Sequence, residues 1–459
     1  MTLNLRRPLI LMLRATLALL AVWLLAGVAW LASNAVDSRA EPLPATLALW
    51  PNQPGSALFY TVQGVLAPAG QSPEAAGRRE WQHAVRTGHT LSDTMAWPRP
   101  VKGLPLDCRA PQDCAGLLAG SLPQLAAQLA PAALLGQRCS AGLEGDQRFE
   151  ENLPQRLHAA SPLPNYIGGV QCALWFSGQA VLSAARADKA GSLQRLQQGR
   201  RLADAMLSGC RMLICKMVGV RLAEAHFDAI SAVARLKPAW AAELVPLLQP
   251  LPPQALQARD WLAAEFAVWS GSLDDILTDC GNGMDALLFG TRLRAVDWLS
   301  QLGCKTHIGL LPNATRQRMV RHWIGRYGPA DDNADGALDR AIASRRAGDH
   351  PSDAGWAWRN TLGARFVDTV GSAAYDEYFA RQADADLRRV ALLTAVSAQA
   401  QRVPLAERAA WLQRQDLAAR QRTRLQWIDG GAQLQVRPWL AELNPGTPRA
   451  ADYRLAAAL

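Results

Sequence analysis

Lysine is scarce in this chain of 459 residues: it stands only at Lys102, Lys189, Lys216, Lys237 and Lys305, and arginine supplies the other basic residues. We read this, with the abundance of alanine and leucine, as codon bias of a GC-rich gene. Both of those residues favour helix. Familiar catalytic signatures are missing as well. There is no Walker A loop, no GxGxxG after a strand, no HExxH, GxSxG, SxxK or CxxC. Common kinase, metalloprotease, hydrolase and thioredoxin-like chemistries lose weight accordingly, and no cofactor is expected. Basic runs are no longer than doublets such as Arg200-Arg201 and Arg345-Arg346. A nucleic-acid partner is therefore not expected, because such binders concentrate arginine and lysine on one face. No fixed-length repeat is present either, which argues against a tetratricopeptide array.

What the chain does have is an apolar run. Residues 15–36, beginning ATLALLAVWLLAGVAWLA, carry no charge, and about 20 helical residues suffice to cross a hydrocarbon core of roughly 30 Å. Arg6, Arg7 and Arg14 precede the run with no acidic residue among them. The positive-inside bias thus predicts a cytoplasmic tail over 1–14, an inner-membrane anchor over 15–36 and a periplasmic remainder. Small residues before Ala35 and Ala40 offer an alternative, a cleaved secretory signal, but the run is longer than a typical signal core. The formal charge of +9 includes the three tail arginines, leaving the outer part mildly basic. A mild attraction to anionic lipid headgroups is the most this implies.

The eight cysteines all lie beyond the anchor, which permits disulfides in an oxidising compartment. Cys108 with Cys114 is the first candidate pair, since CRAPQDC contains a proline turn; Cys280 with Cys304 is the second. Cys210 and Cys215 fall on one predicted helix, about 140° apart around its axis, so they should not bridge unless the helix breaks.

Proline recurs nine times between Glu41 and Pro105, and residues 37–105 read as a linker holding short helices. One of these starts at Ser72-Pro73-Glu74 and stops at Gly88. Residues 106–418 read as a helical domain with apolar residues at the 3.6 period. Three segments carry the pattern: 193–207 with Ser192 as cap; 253–270 through Ala255, Ala258, Leu262, Phe266 and Trp269; and 372–401 through Tyr375, Phe379, Ala383, Leu387 and Val390. Residues 419–459 hold the only strand signal, a hairpin turning at Asp429-Gly430-Gly431, with Trp427 or Trp439 to pack it on a helix. The expected fold class is all-α: an irregular bundle or stack of helical hairpins with an N-terminal transmembrane helix and a small C-terminal β-hairpin.

Four groups of residues invite a chemical reading. Asp331, Asn333, Asp335 and Asp339 occupy ligand positions of an EF-hand-type calcium loop, but Ile342 stands where the bidentate acid belongs. A helix cap by Asp335 is the preferred reading. Lys216 sits among apolar neighbours, where a desolvated amine could serve as base or nucleophile; snorkelling or ion pairing is the structural alternative. Glu224 and Asp228 share a helix face, read as a solvated edge in preference to a catalytic dyad, while His226 points elsewhere. Cys280, Cys304 and His307 have a metal-like spacing without a fourth ligand.

The CRAPQDC element with its following helix, the ICKMVGV segment around Lys216, and Asn360-Thr361-Leu362-Gly363 ahead of Tyr375 and Tyr378 together resemble a group of uncharacterised membrane-anchored helical envelope proteins of Gram-negative bacteria. The resemblance implies topology and helical class and transfers no functional residue. The expectation is a protein-interaction or scaffold module with an envelope protein partner; a membrane-tethered hydrolase using Lys216, Glu224 or Asp228 between helix pairs is the alternative.

Overall fold

The apolar run forms one helix, α1 (Arg6–Asn34), because nothing within it competes with helical backbone bonding. Its window Arg14–Ser33 has a mean hydropathy of 2.2 and none of it is buried against the rest of the chain. Leu17, Trp23 and Leu25 are each more than half exposed. The two hydroxyls turn back onto the helix, Thr16 Oγ1 donating to Met12 O (2.9 Å) and Ser33 Oγ to Trp30 O (2.8 Å), so neither hydroxyl donor is left unsatisfied in an apolar medium. The helix is thus long and apolar enough to span a membrane.

The computed structural model describes residues 6–34, 36–48, 54–88, 101, 114–145, 147–278, 310–327, 334–346, 360–370, 374–444 and 452–456. Helix dominates, with one small sheet. The helices after α1 are α2 (Ala57–Gly64), α3 (Pro73–Thr87), α4 (Cys114–Leu129), α5 (Ala133–Glu144), α6 (Ile167–Ala185), α7 (Lys189–Gly209) and α8 (Leu213–Leu236). They continue as α9 (Arg259–Thr278), α10 (Pro312–Tyr327), α11 (Ala334–Arg346), α12 (Thr361–Val370) and α13 (Ala374–Ala400). Two units form, neither continuous in sequence: one holds 1–45, 269–326 and 348–373, the other 46–268, 327–347 and 374–459.

In the larger unit the segment expected to be a linker is part of the core. Leu58, Phe59, Val62 and Trp81 are buried in the same cluster as Phe176, Met206, Phe227 and Ile230. Proline density keeps α2 and α3 short, as expected, without keeping them apart. A Cβ on Gly64 would lie 1.9 Å from Pro73 O, and one on Gly77 would lie 1.9 Å from Tyr60 O, so only paired glycines allow the two backbones to cross this closely. The expected caps of α3 are present: Ser72 accepts from Ala75 N, and Gly88 closes the helix at φ 74°.

Three helix boundaries differ from expectation. Asp188, not Ser192, caps α7 by accepting from Gly191 N (2.9 Å), and Ser192 is buried one turn inside. The stretch 253–270 is divided, a 3-10 turn at Pro253–Leu256 preceding α9. Finally, the expected continuous helix through Cys210 and Cys215 breaks: Cys210 is extended (φ −69°, ψ 125°) and α8 starts afresh at Leu213. The break brings the two Cα atoms to 5.4 Å and the cysteines are disulfide-bonded. Cys139 of α5 and Cys172 of α6 form a second bridge. The expected pairs Cys108–Cys114 and Cys280–Cys304 lie outside the described residues, apart from the Cys114 backbone at the start of α4.

Loop-closure entropy ranks the two bridges. Cys139–Cys172 spans a separation of 33 residues and Cys210–Cys215 only 5, so alanine replacement of the first pair is expected to cost about 1.5 kcal/mol more, on totals of roughly 2–4 kcal/mol. Urea unfolding of the two double variants under oxidising conditions checks the order; equal midpoints would contradict it.

The expected hairpin is present as β1 (Leu425–Ile428) and β2 (Gln433–Val436), and β3 (Tyr453–Ala456) adds a third antiparallel strand. Pairing Leu425 with Val436 and Trp427 with Leu434 puts these four apolar side chains on one buried face. The turn holds Asp429, Gly430 and Gly431 at φ 52°, 63° and 92°. Two glycines carry that run of left-handed backbone at little steric cost.

In the smaller unit Leu311, Met319 and Trp323 of the α10 region and Phe366 and Val367 of α12 are buried. Asn360, itself at φ 58°, ties them: its Oδ1 accepts from Leu311 N (2.8 Å) and its Nδ2 donates to Thr315 Oγ1 (3.0 Å). A side chain at Gly363 would strike both Thr315 and Asn360. The Asn-Thr-Leu-Gly element is thus a packing device at the head of α12.

Candidate functional site

The break between α7 and α8 builds a polar interior in the larger unit. Glu151, fully buried, accepts hydrogen bonds from Tyr166 Oη and from the backbone amides of Arg211 and Met212, the last at 3.0 Å. Its carboxylate thereby satisfies amides that α8 leaves unpaired at its start. Loss of solvation pushes its pKa up in spite of these donors. Tyr166, held against the same carboxylate, is pushed well above the usual phenol range, first by burial and then by the Glu151 charge.

Lys216 lies one turn into α8 with 2 % exposure. Its Nζ donates to Leu207 O in the last turn of α7 and to Gln254 O (2.9 Å) in the following 3-10 turn. The amine is therefore a helix-terminus cap spanning three segments. Burial lowers its pKa to about 8, against the upward pull of Asp260 and Glu151. The expected desolvation is present, and its role is to join backbone.

Beside this cluster an open cleft of about 700 Å³ is lined by Arg148, Arg201 and Arg211 on one side of the charge balance and Glu150, Asp204 and Asp260 on the other. Its wall comes close at Gly209, where a Cβ would sit 1.5 Å from Phe149 O. Lys216 is absent from the lining. A carboxylate oxygen of Glu151 and the sulfurs of Cys210 and Cys215 converge within 4.8 Å, a donor set of the kind that holds zinc. Here the sulfurs are bonded to each other and the carboxylate already accepts three donors, so the set does not fit a metal in this state.

The second acidic group is not a solvated edge. Asp228 has 1 % exposure and forms a buried ion pair with Arg388 of α13. Glu224 pairs with Arg221 (3.5 Å), one turn away on α8. His226 is buried with Nε2 3.5 Å from Leu247 O, and burial lowers its pKa to about 3, which keeps it neutral. Asp384, which sequence reasoning did not single out, accepts from Trp439 N (2.6 Å) and Leu440 N (3.1 Å) and so pins the chain after β2 to α13. Loss of solvation raises it to about 7, outweighing these amides and the Arg424 charge. Neither Glu151 nor Asp384 carries a local signature: the backbone amides that bond each lie 55 or more residues away, and Tyr166 is 15 residues from Glu151.

Of the calcium-loop residues, Asp331 and Asn333 lie outside the described residues, while Asp335 and Asp339 are in α11, which begins at Ala334 and not at Gly336. Asp335 thus falls within the first turn of the backbone, its side chain lying outside what is described, and Asp339 pairs with Arg420 (3.3 Å). Cys280, Cys304 and His307 lie outside the described residues.

No protein-family model, characterised protein or solved structure matches this chain. The class that the observations define is a mainly helical protein with, among the described residues, one helix long and apolar enough to span a membrane and a disulfide-bonded helical unit carrying a small sheet.

Proposed function

We propose that the protein is a single-pass inner-membrane protein, N-terminus cytoplasmic, whose periplasmic bulk is an irregular helical bundle serving as an interaction or scaffold module in the envelope. The observation that carries the topology is the pairing of an exposed apolar helix, preceded by arginines, with two disulfides downstream of it. Disulfides persist in the compartment that the positive-inside bias assigns to the bulk of the chain. The scaffold reading rests on the use of the ionisable residues. Lys216 caps backbone carbonyls, Asp228 is closed by Arg388 and Glu151 is occupied by three donors, so each has a structural duty. A tethered hydrolase relying on Lys216 or the Glu224/Asp228 face has less support for the same reason.

An alkaline phosphatase fusion at the C-terminus is expected to be active and a cytoplasm-dependent fluorescent fusion dark; the reverse pattern counts against the topology. Crosslinking in native membranes followed by affinity capture is expected to recover a defined envelope partner. Recovery of the bait with only abundant porins would remove the scaffold reading.

A further inference from the structure

The end of the anchor is tied directly to α10. Asp37, three residues beyond α1, accepts from Asn313 N (2.8 Å) and Ala314 N (3.1 Å); Ser38 O accepts from Asn313 Nδ2 (2.9 Å) and Arg39 O from Gln317 Nε2 (2.8 Å). Three extended residues reach about 10 Å at most. With the Asp37 side chain and its hydrogen bond added, the first residues of α10, Asn313 and Ala314, stand within roughly 15 Å of the end of α1.

α10 is unusual in charge. Its sequence PNATRQRMVRHWIGRY has four arginines and no acid. Asp274 pairs with Arg316, and Asp368 of α12 faces Arg318 and His322. Arg321 is exposed and has no hydrogen-bond or ion-pair partner among the described residues. It borders a cavity of about 290 Å³ formed between α10 and Ala40–Pro44, whose lining includes Glu41, Leu43, Arg316, Gln317 and Val320. Leu43 is 44 % exposed at that rim, beside Pro42 and Pro44. A cation, an amide and an apolar edge thus face one small cavity.

We propose that this cavity binds the phosphodiester headgroup of a membrane glycerophospholipid, Arg321 supplying the cation, Gln317 a hydrogen bond and Leu43 contact with the upper acyl chain. The inference rests on the anchor reading above. Basic side chains held at a bilayer surface are attracted to anionic lipid, each contributing about a fivefold change in affinity. Glu41, also in the lining, suits a hydroxyl-bearing headgroup, whose donors a carboxylate accepts.

Native mass spectrometry of the full chain in detergent micelles doped with phosphatidylglycerol, with diacylglycerol or with millimolar inorganic phosphate tests this. Wild type is expected to retain phosphatidylglycerol and not diacylglycerol, with inorganic phosphate failing to displace the lipid. R321E is expected to lower retention at least fivefold while keeping the wild-type melting temperature, since Arg321 is exposed and has no hydrogen-bond or ion-pair partner among the described residues. Retention of phosphatidylglycerol by R321E at the wild-type level, equal retention of diacylglycerol, or displacement by free phosphate would each overturn the lipid site. Carbonate extraction of membranes reads the anchor separately. Both chains staying in the pellet supports it, whereas release of wild type would overturn the anchor and this inference with it.

Discussion

Replacing Asp228 with alanine is expected to lower the unfolding free energy by about 3–5 kcal/mol, the range for breaking a buried ion pair by removing one partner. The reason is asymmetry. Asp228 is 1 % exposed and Arg388, 11 % exposed at its side chain, faces it from α13; with the aspartate gone the guanidinium stays largely desolvated and loses the carboxylate bonded to it. Tyr453 of β3, whose ring lies 5.8 Å from the Arg388 guanidinium carbon, cannot replace a charge. R388A should cost a similar amount by stranding the carboxylate. The pair D228L with R388M removes both charges together and is expected to lose far less than the sum of the single variants. Urea unfolding of the full chain in mild detergent, followed by tryptophan fluorescence, measures all three. A loss below about 1 kcal/mol in D228A would show that the pair is hydrated, as exposed ion pairs are.

That result bears on what could be read from sequence. Glu224 and Asp228 share a helix face by spacing alone, but whether the face is wet depends on α13, 160 residues away. Features written in local chemistry were legible: α1 from a charge-free run, α3 from serine, proline and glycine at its ends, β1 and β2 from a glycine turn between alternating residues. Features that depend on partners distant in sequence were not. β3 pairs with β2 from beyond Pro445, and its residues Tyr453–Ala456 have no periodicity that marks a strand. The break at Cys210 is invisible in a helical pattern, because Leu207 and Leu213 both satisfy that pattern. What makes the break favourable is Glu151, which collects the amides of Arg211 and Met212 from a segment 60 residues upstream. The short helices of 37–105 are legible from its prolines and caps, but their place in the core is not: it depends on Gly64 and Gly77, which let α2 and α3 cross closely.

Lys216 is the residue for which sequence and structure agree on environment and differ on consequence, and its titration separates the two. Its pKa in the folded chain is about 8, against about 10.4 in an unfolded chain. Between these values the unfolded state binds the proton more tightly than the folded state does, so stability rises with pH. Below pH 8 both states are protonated and the burial penalty is constant; above it the penalty is relieved at about 1.4 kcal/mol per pH unit. Tyr166 and Tyr453, whose phenols are pushed up on burial, act in the opposite sense as unfolded tyrosine begins to ionise toward pH 10. Lys216 should therefore contribute a gain of about 2 kcal/mol from pH 8 to pH 10, of which the two tyrosines offset somewhat under about 1 kcal/mol at the upper end. K216M has no proton to lose and should lack the rise. K216R should lack it too, because a guanidinium stays charged throughout this range. Unfolding midpoints of the three chains across that interval decide the matter. A wild-type profile that is flat, or one that K216M reproduces, would mean that water reaches the amine and that Leu207 O and Gln254 O do not hold it in a dry interior.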